Sequence, residues 1–578
     1  MKIRYITFLL SILLLNSCSA APSQLINPSS SENTQIHDIQ GCSHSSPYLG
    51  KKVTAVHGIV TWKDDQGFFI EDTTPDAKEC SSEAVYVFTK DYSHFIPGDF
   101  VAVDGVVDEF TPDPSTSDEL TNTEIKSSTI TLISTENDLP APIRIGNGGR
   151  IPPDTKIEDD AFSSFDPDTD GIDFYESLEG MRVEIDNASV VGPENAYREV
   201  EIIPGESRSK NIISSQGALI ATEADVNPER IVLVLPNSYK KEVNLGDHID
   251  GAVIGILTYA YGNYEIIETN MPTISPNKIK PPALQPITKS DQLRVATYNV
   301  ENFSRFDSTR MDKISAQIVK SLGSPDILLL EEIQDDSGSE DDGTTSASKT
   351  LEELSQKIVS YGGPEYAFLD SPQQNDSSGG VGGGNIRTVI LYRTDRGVKL
   401  VKDQIKITGQ NLSAFTNSRI PIVGKFIFHD QSVIVIGVHL ISNNANSPLF
   451  GSSQPIKQPD EAKKIAQAQW LATFAANLKK TNPNSFVVIG GDFNDTPDSA
   501  TLSTLQKAGF TDAANYVPVS ERYSLLFEGN AYLYDQILVS EDEHFVIDNS
   551  TPIHINTYMN DNEQISDHDP FVVDLTVK

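Results

Sequence analysis

Six apolar runs in the C-terminal half of this chain stop on residues that can do chemistry. Residues 293–298 end at Asn299, 327–330 at Glu331 and Glu332, and 433–438 at His439. Residues 486–491 end at Asp492-Phe493-Asn494, residues 531–534 run into Asp535, and Ser566-Asp567-His568-Asp569 precedes the run 570–575. The set offers carboxylates, amides and imidazoles but no thiol, so it suits a hard divalent cation (Mg2+ or Mn2+, with Ca2+ as a further option) rather than zinc. Carboxylates holding such an ion opposite two histidines suit phosphoryl chemistry. The ion neutralises phosphate, one group deprotonates water, and another protonates the leaving oxygen. Taken singly, each residue has an ordinary explanation. Asp492 and Asn494 would cap a helix, a strand-end His439 would be packing, and Glu331 competes with Glu332 for the same role. The ordered set is harder to explain that way.

Such residues converge only if buried strands deliver their polar ends to one rim of a sheet. Residues 460–480 supply a covering helix, with Ile465, Ala468, Leu471, Ala475 and Leu478 at helical spacing. The predicted catalytic domain spans 291–578, after a proline-rich linker at 281–290. All the proposed ligands follow that linker, which predicts a domain that works alone.

The words Ala296-Thr297-Tyr298-Asn299-Val300, Pro325-Asp326-Ile327-Leu328-Leu329-Leu330-Glu331-Glu332-Ile333, Gly491-Asp492-Phe493-Asn494-Asp495 and Ser566-Asp567-His568-Asp569-Pro570 resemble the endonuclease/exonuclease/phosphatase superfamily (deoxyribonuclease I-like). The resemblance is nearest to its bacterial extracellular nuclease branch, through Gly384-Asn385-Ile386-Arg387 and Arg522-Tyr523-Ser524. It implies an α+β four-layer sandwich, two β-sheets covered by helices. It implies Glu332 as principal metal ligand, with Asn299 and Asp567 helping to hold the metal or its water. Asp492 and Asn494 would contact the attacking water and the phosphate. Asp535 would orient His568, and His439 would be the second histidine. Asn385 and Arg387 would bind substrate, although Arg387 could equally pair with one of the many acids. Two departures stand out: Asn443 where related nucleases carry Lys, and Gln536 where they tend to carry His. The implied activity is hydrolysis of DNA or RNA. The alternatives are a lipid or small-molecule phosphodiesterase or phosphatase (sphingomyelinase-like) and, in a different class, a non-catalytic surface binding protein.

The remaining half of the 578 residues carries different signals. A basic start (Lys2, Arg4), a short apolar run and Leu15-Asn16-Ser17-Cys18 resemble a lipoprotein leader, 1–17, with Cys18 acylated. This predicts an exported chain, lipid-anchored to the bacterial cell envelope and facing the outside or the periplasm, as a monomer. Residues 18–38 would be a tether. Cys42 and Cys80 would then form a disulfide. Five short strand signals at 53–62, 67–71, 84–89, 100–110 and 129–133 predict a small barrel within 39–140. Its words resemble the OB-like domain that precedes many such nucleases. Residues 141–280 predict a second β-rich domain. Within it, Asp166, Asp168 and Asp170 match the first half of a calcium loop, but Ser177 stands where the bidentate Glu is required. The formal net charge of −38 argues against metal-free binding of a polyanion.

Overall fold

Strand-forming words dominate the first 275 residues, and they pair into two separate sheets. The computed structural model describes residues 34–112, 118–205, 211–270, 273–371, 373–401, 412–444 and 446–578. The leader and the acylation candidate Cys18 lie outside the described residues. The first sheet contains β1 (Lys52–Lys63), β2 (Gly67–Glu71), β3 (Ala84–Phe88), β4 (Phe100–Phe110) and β5 (Asn122–Ser134). It closes into a barrel in the order β1-β2-β3-β5-β4. All its pairings are antiparallel except β3 with β5. Alternate residues such as Val85 and Val87, or Val101 and Val103, fill the interior. The fifth strand is longer than the run at 129–133, because it follows β4 along its whole length with Ile125 as its inward anchor. Cys42 and Cys80 are joined in a disulfide across 38 positions of sequence.

The next nine strands, between Ile143 and Ser275, form one sheet. A short helix, α1 (Gly171–Glu176), lies against it. The barrel is welded to this unit by buried carboxylates. Glu179 accepts from Gln40 Nε2 at 3.2 Å and from the Thr123 N–H at 2.9 Å, and Glu71 accepts from the Arg182 N–H at 3.0 Å.

Beyond it, β6 (Gln292–Phe303), β7 (Ile327–Ile333), β8 (Arg387–Arg393) and β12 (Phe571–Val577) make the centre of one six-stranded sheet. The strands β9 (Gln431–His439), β10 (Ser485–Asp492) and β11 (Asp535–Ser540) make the centre of another. Odd residues of β6 and β7, such as Val295 and Leu329, face Val433, Val435 and Val488 between the sheets. Even residues, such as Tyr298 and Leu328, pack under α2 (Ser308–Lys320) and α3 (Ser348–Ser360). Ile434, Ile436 and Val487 pack under α4 (Glu461–Thr481) and α5 (Ala500–Lys507). The C-terminal domain is therefore four layers, helices outside and two sheets inside, stabilised by about 1.5–3 kcal/mol for each large apolar side chain buried.

The domain is not set apart from what precedes it. The proline-rich segment lies along its surface: the Leu284 N–H donates to Ser321 O at 2.7 Å, and Arg294 and Arg396 hold the carbonyls of Gln285 and Ile287. The segment after β9 reaches back further. Phe450 sits in the core of the nine-stranded unit, with its ring 5.6 Å from Tyr264 and 5.1 Å from the Arg230 guanidinium. Lys457 and Ser447, on the same segment, donate to Asp118 from the barrel side at 2.7 and 3.1 Å. Tyr523 and Ala531 share a cluster with Ala218, Ile220 and Leu245. The expectation of a self-sufficient domain behind a free linker gives way to a buried junction.

Candidate active site

The strand pairings bring the polar ends together. His439 is in parallel register with Asp492, and Asp492 is in antiparallel register with Asp535. Three functional side chains thus stand in a row on adjacent strands of the second sheet. Asp535 opens β11 rather than ending the run 531–534, because residues 530–532 form a separate short strand. The other six-stranded sheet of the domain supplies Asn299 and Glu332 from the parallel pair β6 and β7. His568 comes from the segment just before β12.

A register shift separates Asn299 from Phe303 on β6, and Glu332 sits opposite it at φ 62°. This bulge settles the competition between neighbouring acids. Glu331 turns inward, fully buried, and accepts from Thr297 Oγ1 at 3.0 Å. Glu332 turns to the rim and accepts from the Asn302 N–H at 2.8 Å. Glu301, Asn302 and Asn494 also have positive φ, at 46°, 47° and 50°. Non-glycine residues in that region cost free energy, and they cluster at sites where a backbone is held for function.

Asn299 joins the two sheets: its Nδ2 donates to Glu332 Oε1 at 3.2 Å and to Asp492 Oδ2 at 3.0 Å. Its own oxygen accepts from the Glu301 N–H at 3.0 Å. As placed, Asn299 acts on both carboxylates as a donor, and its oxygen, with one bond from the Glu301 N–H, keeps a second lone pair. Asp492 also accepts from the Asn494 N–H at 2.8 Å, and Asn494 Nδ2 donates to Leu440 O. His439 Nε2 is 3.5 Å from Asp492 Oδ2 and 4.0 Å from Glu332 Oε1, while its buried Nδ1 has no partner. His568 Nδ1 meets Asp535 Oδ2 at 2.5 Å, and its Nε2 lies 3.9 Å from Asp492 Oδ2.

The two imidazoles are driven in opposite directions. Burial, then the positive charges of Arg419 and His568, hold His439 well below the ordinary histidine value. Burial would also lower His568, but the carboxylates of Asp535, Asp567 and Asp492 outweigh it and hold this ring well above that value. Between them, burial pushes the Asp492 carboxyl up to about 6.

Glu301, Glu332 and Asp567 crowd one another at the rim. Burial and the Asp567 charge raise Glu332, and push Glu301 up to about 7. Arg310, whose charge acts on Glu301, is committed to the carbonyls of Val300, Glu301 and Ile565. An oxygen-rich set short of positive charge fits a hard divalent cation. It is a facing set rather than a closed one. Among the described residues, the groups of His, Asp and Glu donors drawn within 4.8 Å of one another all lie between His37 and Asp173.

Two expected substrate residues are placed elsewhere. Arg387 is fully buried, donating to the carbonyls of Asn385 and Thr345 and lying 3.5 Å from Asp370. Asn385 is buried too, and its amide donates to Asp335 and Asn375. Together they pin the loop carrying 335–345, so Arg387 pairs with protein groups rather than standing free for phosphate. Asp168 is exposed and stands outside the carboxylate group that contains Asp166 and Asp170.

Two cations escaped the sequence reading. Arg419 is buried, donates to the Leu440 carbonyl, and interacts with Asp492 and Glu332. It lies in a polar turn with no spacing to single it out. Lys464, on α4, sends Nζ to Asn443 Oδ1 and to the carbonyl of Asn494 at 3.0 Å. An ammonium therefore stands beside Asn443, from a helix position that periodicity would assign to the buried face. Gln536 is structural and donates to the Asp495 and Leu533 carbonyls.

Residues 296–568 match the model of the Endonuclease/Exonuclease/phosphatase family, and the C-terminal domain is a member of it. The match supports reading that domain as a phosphoester hydrolase. Residues 144–276, the nine-stranded unit, match a domain of unknown function. Similar solved structures include D. rerio TDP2 complexed with single strand DNA product (15% identity, TM-score 0.34, covering 50% of this chain and 99% of that one). They also include truncated Caenorhabditis elegans TDP2 (17%, 0.33, 50% and 100%) and the endonuclease/exonuclease/phosphatase from Bacteroides vulgatus (16%, 0.33, 50% and 99%). No curated protein sequence matches the chain.

Proposed function

We propose that the chain is a metal-dependent nuclease, an exported, monomeric, Cys18-anchored phosphodiesterase acting on DNA or RNA. The observation that carries this is Asp492 standing between two imidazoles of opposite tendency, one kept neutral and one kept cationic. A phosphodiester needs a positive donor on its oxygens and an acceptor for the proton of water. His568, steadied by Asp535, supplies the first at Nε2. Asp492, raised towards neutrality, is placed to supply the second. Neutral His439 and the buried charge of Arg419 hold the far side of Asp492. Magnesium or manganese, held by Glu332 and Asp567, would supply the charge that lets a phosphate settle among so many acids.

Nucleic acid is favoured over other phosphodiesters by Phe306, 66% exposed on the turn after β6, with the Arg305 guanidinium 5.2 Å over its ring. Exposed aromatic faces of this kind are those on which bases stack. The barrel's strand order also supports reading it as OB-like.

The test uses the full chain with magnesium on plasmid DNA, RNA, sphingomyelin and p-nitrophenyl phosphate. Oligonucleotide release is expected, with Glu332→Gln and His568→Ala each lowering the rate about 10²–10³-fold. Hydrolysis of sphingomyelin or the simple ester with both nucleic acids untouched would overturn the nuclease reading. A Cys18→Ser protein that still fractionates with membranes would overturn the anchor.

A further inference from the structure

Outside the active site, the strongest concentration of donors lies where the nine-stranded unit meets the segment before the barrel. Oxygens of Asp166, Asp170 and Asp173 lie within 4.8 Å of one another, and Asp173 also groups with Glu158 and His44. Asp170 and Asp173 have no exposed surface. Asp173 is satisfied, by His44 Nε2 at 2.6 Å and the Asp166 N–H at 2.6 Å. Asp170 is not. Among the described residues its Oδ2 has only a long bond from the Asp159 N–H at 3.4 Å, and its buried Oδ1 has no partner. Asp166 Oδ1 is likewise buried without a partner.

A buried carboxylate oxygen left unpaired is costly, and several together cost more. Four acids converge here: Glu158, Asp166, Asp170 and Asp173. Among the described residues none of them forms an ion pair with Lys or Arg, and His44 is the one basic side chain in contact with them. One imidazole balances one carboxylate. A compact multivalent charge that accepts oxygen ligands in an irregular array, the preference of calcium, would offset the rest.

We propose that Asp166, Asp170 and Asp173, with Glu158 alongside, form a structural calcium site. It differs from the loop motif seen in the sequence. Its spacing is i, i+4, i+7 into helix α1, with a further acid from the preceding turn, and Asp168 takes no part. The consequence is positional. Helix α1 carries Tyr175, whose ring packs 6.0 Å from Phe450, so the ion fixes the element against which the C-terminal domain's segment is seated.

The experiment measures thermal unfolding of the full chain carrying Glu332→Gln, which separates this site from the catalytic one, in chelator and in calcium. Calcium is expected to raise the unfolding temperature by about 3 °C or more. Adding Asp170→Asn should abolish that rise, while in chelator this variant should be at least as stable as its parent, because a buried unpaired carboxylate has gone. If Asp170→Asn does not fold, Asp166→Asn takes its place in the same comparison. No calcium shift in the Glu332→Gln protein, a shift that survives the Asp substitution, or an equal shift with magnesium would each overturn the assignment.

Discussion

Glu331 and Glu332 are adjacent, identical in kind and opposite in fate. The bulge in β7 sends Glu332 to the rim and Glu331 into the space beneath it, where burial and then the Asp535 charge hold its carboxyl well above the usual range. A neutral amide should therefore replace Glu331 with little loss. Glu331→Gln should leave the specific activity within about threefold of the parent. The same change at Glu332 should cost the 10²–10³-fold typical of a lost transition-state charge partner. Comparable losses in both variants would show that the bulge is misplaced. Asp535→Asn probes the other end of the row. Without its carboxylate, His568 loses the partner at 2.5 Å that sets its tautomer, and the rate should fall nearly as far as in His568→Ala. At this scale the sequence was informative: motif order alone brought His439, Asp492, Asp535 and His568 to one place. It left Arg387 open between phosphate and a protein partner, because an Arg at the start of a strand says nothing of whether carbonyls and an acid will surround it. It failed for Arg419 and Lys464 because cations that act through burial carry no pattern.

Elements repeat the lesson differently. Strand ends were legible because apolar runs stop where the sheet meets solvent or chemistry: Phe100–Phe110 falls where period-two alternation puts it, and Gly67–Glu71, buried throughout, is a short apolar run. The segment between His439 and α4 was not legible. Nothing in its polar composition shows that Phe450 belongs to another domain's core. Phe450→Ala should destabilise the protein by about 3–5 kcal/mol, the range for a large buried aromatic, in denaturant unfolding of the full chain. A change below 1 kcal/mol would mean the ring is not buried as described. For the same reason a fragment of residues 288–578 should be poorly soluble or aggregated, since Phe450, Tyr523 and Ala531 would be laid bare. A soluble fragment with full activity would contradict the junction. The disulfide belongs to this scale too. Closing a loop of 38 residues contributes about 3–4 kcal/mol by chain entropy. Thiol titration of the unfolded, unreduced protein should detect no reactive group at Cys42 or Cys80.

Over the whole molecule, the acidity predicted from composition is carried partly inside. Burial pushes Glu71 up to about 8 and Glu229 up to about 7, and raises Glu179 well above its usual value. For each, the unfolded chain releases its proton first, near 4.5, so the folded state holds more protons between that value and its own. Stability must then fall as pH rises through this window. The unfolding temperature should be higher at about pH 5.5 than at about pH 8, by an amount that grows with each such acid. A higher value at pH 8 would show that these carboxylates are charged in the folded protein. Composition could give the sign of the surface charge, but it could not show which acids the three-way junction would bury.

The placement of Phe450 also has a bearing on time. A chain is made from its N-terminus, and the nine-stranded unit is complete in sequence by Ser275. Its core is not complete until Phe450 emerges, on the order of ten seconds or more later at about 5–20 residues per second. Throughout that interval Tyr175, Tyr264 and Arg230 face a gap that their own domain cannot fill. The unit is therefore born unfinished, and a released chain ending near residue 290 should be far more open to protease between 143 and 275 than a released chain ending near 470. Equal resistance at the two lengths would show that the early chain closes the gap without help.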